Sequence, residues 1–165
     1  MSFIKQFKKE RDAHIAAARE ITRVATIETI NYAINKSPVA NPDLWVWFNP
    51  TTETYVDYVA YKGYPEGITA GRFRSNWFLS TVAPSQRETE EVKPKGALIQ
   101  LLTEQVINSP YSSRYFLTNN LPYAERLDNG WSTQAPNGIT APAALHVNSK
   151  MKRIEKIANR KYGIS

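Results

Sequence analysis

The residues that most often carry chemistry are scarce in this sequence. There is no cysteine, which removes disulfides, thiolate metal sites and cysteine nucleophiles together. His14 and His146 are the only histidines, and neither has a partner at metal-binding spacing. Each lies in a charged helical stretch and reads as a solvated side chain. No serine sits in a nucleophile-elbow pattern. Gly71 and Gly96 stand alone, so no glycine-rich loop is formed to cradle a phosphate. The carboxylates are scattered, and none pairs with another in a way that suits general acid–base work. The expectation is a non-enzymatic protein without metal or cofactor.

Charge is more informative. The formal net charge is +6, and the excess gathers at the C-terminal end. There Lys150, Lys152, Arg153, Lys156, Arg160 and Lys161 face only Glu155. Such a run can hold DNA phosphates or an acidic protein neighbour, or simply solvate one helix face. At 42% hydrophobic and 22% charged residues the chain has the composition of a folded protein, not of a disordered tail. Its 165 residues suffice for one domain with a real core. No apolar run approaches the roughly 20 residues that span a bilayer. The basic start, Lys5, Lys8 and Lys9, runs into Glu10, Arg11 and Asp12 where a signal peptide would turn apolar. The reading is a soluble, unexported protein with no membrane partner.

These features must be positioned by a mixed set of elements. Residues 1–36 read as one long helix, with Phe3 and Phe7 on one face and Ala17, Ile21, Val24, Ile27, Ile30 and Ile34 recurring at helical spacing. Ser37-Pro38 ends it, because proline disfavours helix in the residue before it. Its first third is rich in charge and is expected to project towards another molecule. Residues 37–67 are broken by prolines and crowded with aromatics, including Trp45, Trp47, Phe48, Tyr55, Tyr58, Tyr61 and Tyr64. Short strands in a hairpin suit their alternation. Nucleic-acid stacking would need interleaved basic residues, and Lys62 is the only one. Packing or a subunit interface fits better.

Residues 68–165 form the remaining body. A helical turn capped by Thr69 leads into a strand over 78–82, then a polar loop over 83–95. A helix is predicted over 96–108, with Leu98, Leu101, Leu102 and Val106 at its intervals, and a strand over 114–118. Pro122 opens a short helix and Gly130 closes it. Asn137-Gly138 makes a turn. Thr140 caps a last helix reaching about Lys161, with Leu145, Ile154, Ile157 and Ala158 on its apolar side. The fold class is α+β: a long N-terminal helix, a small antiparallel or mixed sheet, and two further helices including a C-terminal one, all in a single domain.

Two segments resemble a known signature. Leu121–Gly138 is similar to a run shared by phage neck and tail-completion proteins, a family related to the minor tail protein Z type of long-tailed phages. The matching residues are Pro122, Tyr123, Ala124, Leu127, Asp128 and Gly130, then Ser132, Gln134, Ala135, Pro136 and Gly138. Gly71-Arg72-Phe73-Arg74-Ser75-Asn76-Trp77 resembles the family's second run. Asp128 stands where glutamate is usual, Trp131 where histidine or tyrosine is common, and Ala70 where threonine is expected before the glycine. The aromatic stretch from Leu44 to Tyr64 looks like an elaboration.

The resemblance implies a structural virion protein of the neck, made in the host cytoplasm, that completes the tail and joins it to the head. It implies a homo-oligomeric ring, sixfold to match the tail tube. The partners would be copies of itself, neighbouring connector, head-closure, tail-terminator or tail-tube proteins, and DNA in the lumen. Gly71, Arg72, Arg74 and Trp77 with the Pro122–Gly138 motif would form the interface. Physically the motif suits a binding loop on a fixed scaffold: Tyr123 would pack its ring inward with its hydroxyl on polar backbone, and Pro136 would limit the entropy lost on docking. The alternative is a basic DNA-binding accessory protein acting through the C-terminal helix.

Overall fold

A computed structural model describes residues 3–63, 65–66 and 68–164. Helix α1 spans Phe3–Lys36 without interruption, as its lack of glycine and proline demands. Ser37 ends it with a buried bridge: its hydroxyl donates to the Ala33 carbonyl at 2.7 Å and accepts the Trp77 indole N–H at 2.7 Å. Only the C-terminal part of α1 enters the main core, through Ile30, Ala33 and Ile34.

Two long helices pack along α1. One, α4, spans Lys95–Asn108 and buries Leu98, Leu102 and Val106. The other, α6, spans Thr140–Lys161 and buries Ala143, Ile154 and Ala158. It runs antiparallel to α1, since Lys150 meets Glu28 at 2.8 Å while Lys161 meets Glu20 at 2.7 Å. Pairs this exposed fix register more than they stabilise. Leu145 and Ile157, expected on the apolar side of α6, face solvent instead. The buried stripe of α6 is narrow, consisting of Ala143, Ile154 and Ala158, so apolar positions off it stay outside.

The strands form two separate antiparallel pairs, not one sheet. Val46–Asn49 (β1) pairs with Thr54–Asp57 (β2), and Phe78–Ser80 (β3) pairs with Phe116–Thr118 (β4). Both members of the second pair are shorter than the pattern predicts. The Ser80 hydroxyl turns to the Ala83 carbonyl, and Ser112 closes a local turn on the Arg114 carbonyl at 2.7 Å. A short helix, α2, follows the hairpin at Tyr58–Lys62 and is capped by Asp57. Helices α3 (Arg72–Ser75) and α5 (Ala124–Asp128) are single turns or little more.

The long loop before α4 is held by buried polar groups. Asn76 is 0% exposed, yet its amide donates to the Arg72 and Thr89 carbonyls at 2.8 and 2.9 Å and its oxygen accepts the Thr89 N–H at 2.8 Å. A buried amide so bonded specifies one loop conformation. Two caps differ from expectation. Thr69 does not cap α3 with its side chain; Gly71, in the left-handed region, occupies that position. Thr140 does not cap α6, which takes its cap from Asp128 instead.

Ile34 is 0% exposed and Leu145 71% exposed, so their truncations separate the core from the surface. Ile34→Ala is expected to cost about 2–5 kcal/mol, and Leu145→Ala no more than about 0.5 kcal/mol. Urea unfolding of the two variants measures the difference.

Candidate functional site

The signature segment is a loop closed on itself. Asp128, at the end of α5, accepts the Ile139 and Thr140 amides at 2.8 Å each through one carboxylate oxygen, and the Thr140 hydroxyl through the other. Gly130 and Gly138 both have positive φ, at 83° and 73°. A Cβ on Gly130 would lie 2.3 Å from the Pro136 carbonyl oxygen, and one on Gly138 would lie 1.9 Å from that of Asp128. No larger residue fits either place without moving backbone. Gln134 then ties the loop to the chain leaving α1. Its side-chain amide donates to the Val39 carbonyl at 2.8 Å and its oxygen accepts the Val39 N–H at 3.2 Å. That is a strand-like exchange made by one side chain.

The second signature segment lies against the first. Phe73 and Trp77 are buried, with ring centroids 5.9 Å apart. The Asn119 amide donates to the Phe73 carbonyl at 2.8 Å, and the Tyr123 ring sits 6.3 Å from that of Phe73. The two segments and residues 38–46 together enclose a surface groove of about 640 Å³. Its wall is largely apolar: Trp45, Val46, Ile68, Phe73, Tyr123, Leu127 and Trp131, with Arg72 and Gln134 among the polar members. Arg126 lies over the Trp131 ring at 3.9 Å and keeps that exposed indole against the lip.

The motif therefore divides in two. Asp128, Gly130, Ser132, Gln134 and Gly138 shape the loop, Ser132 by accepting the Gln134 N–H at 3.2 Å. Ala124 and Leu127 pack on the core, while Pro122 and Pro136 stay exposed. Trp77, read from the sequence as an interface residue, is 4% exposed and belongs to the core. Arg72 pairs with Glu90, and Arg74 lies half-buried beside Gly71. Tyr123 is 37% exposed and lines the groove with its ring beside that of Phe73. Burial pushes its phenol above the ordinary value; Glu90 and Glu88 push the same way, against Arg72.

The basic helix also divides. Lys150 is engaged inside the molecule with Glu28, leaving Lys152, Arg153, Lys156 and Arg160 exposed on α6. The Lys150 hydrogen bond holds the Glu28 carboxyl below its ordinary value, against a rise from burial. His146 is not simply solvated: its ring lies 4.8 Å from that of Tyr32 and its Nε2 lies 3.5 Å from Glu28. His14 is exposed. Among the described residues, no group of three or more His, Cys, Asp or Glu is placed to hold a metal, and no helix is long and apolar enough to cross a membrane. Sequence reasoning missed Val39, Val46 and Ile68 as groove residues, and no local pattern marks them. No protein-family model, curated protein or solved structure matches the chain.

Burial alone would raise the Asp128 pKa, but the Thr140 hydroxyl and the Thr140 and Ile139 amides outweigh it and hold the carboxyl below its ordinary value. The cap is thus fully present above the unfolded carboxylate value of about 4. It is lost as pH falls below that, through the lower folded value. Asp128→Ala is expected to cost about 0.5–2 kcal/mol at neutral pH and to flatten the fall in stability below about pH 4. Denaturant midpoints of both proteins at neutral and acid pH check it; parallel curves would remove Asp128 from the acid response.

Proposed function

We propose that the protein is a structural subunit of a phage neck ring, which completes the tail and joins it to the head. The supporting observation is that the two segments resembling the neck-protein signature, far apart in sequence, border one groove. Asp128, Gly130 and Gly138 shape the loop of the longer segment, while its exposed Pro122, Tyr123 and Pro136 are left for another protein to contact. A family likeness in a packed core alone would not need such a surface. The N-terminal third of α1, exposed from Phe3 to Arg11, offers a second reach towards a neighbouring ring or subunit. Head-to-tail contacts between identical subunits close a ring when their rotation allows it.

Quantitative mass spectrometry of purified particles tests this reading. Several copies per particle are expected, six if the ring matches the tail tube. A single copy, or absence from intact particles, overturns it.

A second reading, a basic DNA-binding accessory protein, draws on the exposed face of Lys152, Arg153, Lys156 and Arg160. The neck reading assigns that face to an acidic protein neighbour. Reversing Lys152 and Lys156 to glutamate should change stability by no more than about 0.5 kcal/mol, since both are exposed. Electron microscopy then separates the readings. Untailed full heads are expected from a lost protein interface, and empty tailed particles from a lost DNA contact. A filter-binding titration adds an independent check, because DNA held by four to six phosphate contacts weakens steeply with salt.

A further inference from the structure

We propose that a second cleft, beside the middle of α1, binds an organic phosphate monoester through Arg19 and Arg23. The cleft has a volume of about 410 Å³. It is formed by one face of α1 between Asp12 and Arg23 together with Tyr162, the residue that ends α6. It shares no residue with the groove, and the assignment does not depend on the neck reading.

The charges lining the cleft are two acids and two arginines, and they are not equivalent. Asp12 is engaged by Arg11 at 2.7 Å and Glu20 by Lys161 at 2.7 Å. Neither of those cations lines the cleft, so both acids are neutralised from outside it. The two arginines have no carboxylate partner among the described residues. Arg23 donates through Nη2 to the Ser109 carbonyl at 3.2 Å, which holds the side chain in place. Its Nε is buried without a hydrogen-bond partner. Buried donors in folded proteins nearly always have an acceptor, and this one lacks it within the chain. Arg19 lies over the Tyr111 ring at 5.2 Å, an attraction that consumes no hydrogen-bond donor. Two positive charges therefore remain for an occupant.

The arrangement selects a class of ligand. Arg19 and Arg23 stand four residues apart on one helix face, within reach of one anion. A guanidinium presents paired N–H donors that match phosphate oxygens. Two uncompensated cations match the nearly double charge of a phosphate monoester, whereas a carboxylate or a backbone phosphodiester brings one. The cleft is larger than a phosphate alone requires and falls in the range of small-molecule sites. Ile15, which is exposed, supplies with Ala16 and Tyr162 an apolar wall for the organic body of the ligand.

Calorimetric titration of the full chain with phenyl phosphate tests this, with amide NMR shifts locating the site. One site per chain is expected, with shifts at Arg19, Arg23 and Tyr162. Benzoate, which has the same ring and a single charge, should bind about tenfold more weakly or worse. Arg19→Gln and Arg23→Gln should each weaken phenyl phosphate binding about tenfold or more. Arg23 also holds Ser109, so circular dichroism checks the fold of its variant. Arg19 is exposed, and its variant carries the test alone if Arg23→Gln unfolds. No binding of phenyl phosphate, equal affinity for benzoate, or unchanged affinity in Arg19→Gln overturns the assignment. The Lys152→Glu, Lys156→Glu double variant should bind as the parent does; loss of binding would move the anion to the outer face of α6 and overturn the cleft. Competition separates the sources of phosphate. A short DNA duplex that displaces phenyl phosphate at equal phosphate concentration would assign the cleft to a nucleic-acid backbone and overturn the monoester. Inorganic phosphate should compete more weakly than phenyl phosphate; equal competition would overturn the role of the apolar wall.

Discussion

The carboxylate of Asp128 is the interaction on which most of the site depends. A helix begins with backbone N–H groups that have no partner within it, and α6 has no local side chain serving them. Asp128 supplies the acceptor from another helix, with both oxygens used at once. This brings the end of α5 to the start of α6 and closes residues 129–138 into a tight loop. The closure requires Gly138 to pass against the Asp128 carbonyl. The loop in turn places Gln134 beside Val39, which aims the chain leaving α1 along the groove. The start of α6 fixed in this way also sets which lysines meet Glu28 and Glu20. The short aspartate side chain reaches both amides directly.

Burial is unevenly distributed along the chain. The main hydrophobic cluster draws on the last turns of α1, on α3, β3 and α4, and on Leu121, Ala135 and Ile139. Neither the first third of α1 nor the aromatic hairpin contributes to it. The hairpin aromatics instead pack edge-on against one another, as Trp45 does on Tyr58 and Phe48 on Tyr55. Val46, Phe48 and Tyr55 remain widely exposed. A two-stranded hairpin has little stability alone, and most helix stability in proteins comes from packing of one face. Surfaces of this kind are stabilised further when a partner covers them.

The sequence made the elements legible and left their junctions obscure. The α+β class, the long first helix ending at Ser37 and the last helix packing as a separate element followed from periodicity and proline placement, which are local. The caps did not, because the group capping α6 lies twelve residues before the helix begins and Thr140 offered itself as the nearer candidate. Trp77 beside an arginine-rich motif gave no sign of whether its indole would face outward; its buried bond to Ser37 depends on the fold. Lys150 looked like one more residue of a basic run until Glu28, far away in sequence, came opposite it. The groove was invisible for the same reason. It is built from three segments separated by long stretches of chain, and only two of them carry a recognisable motif.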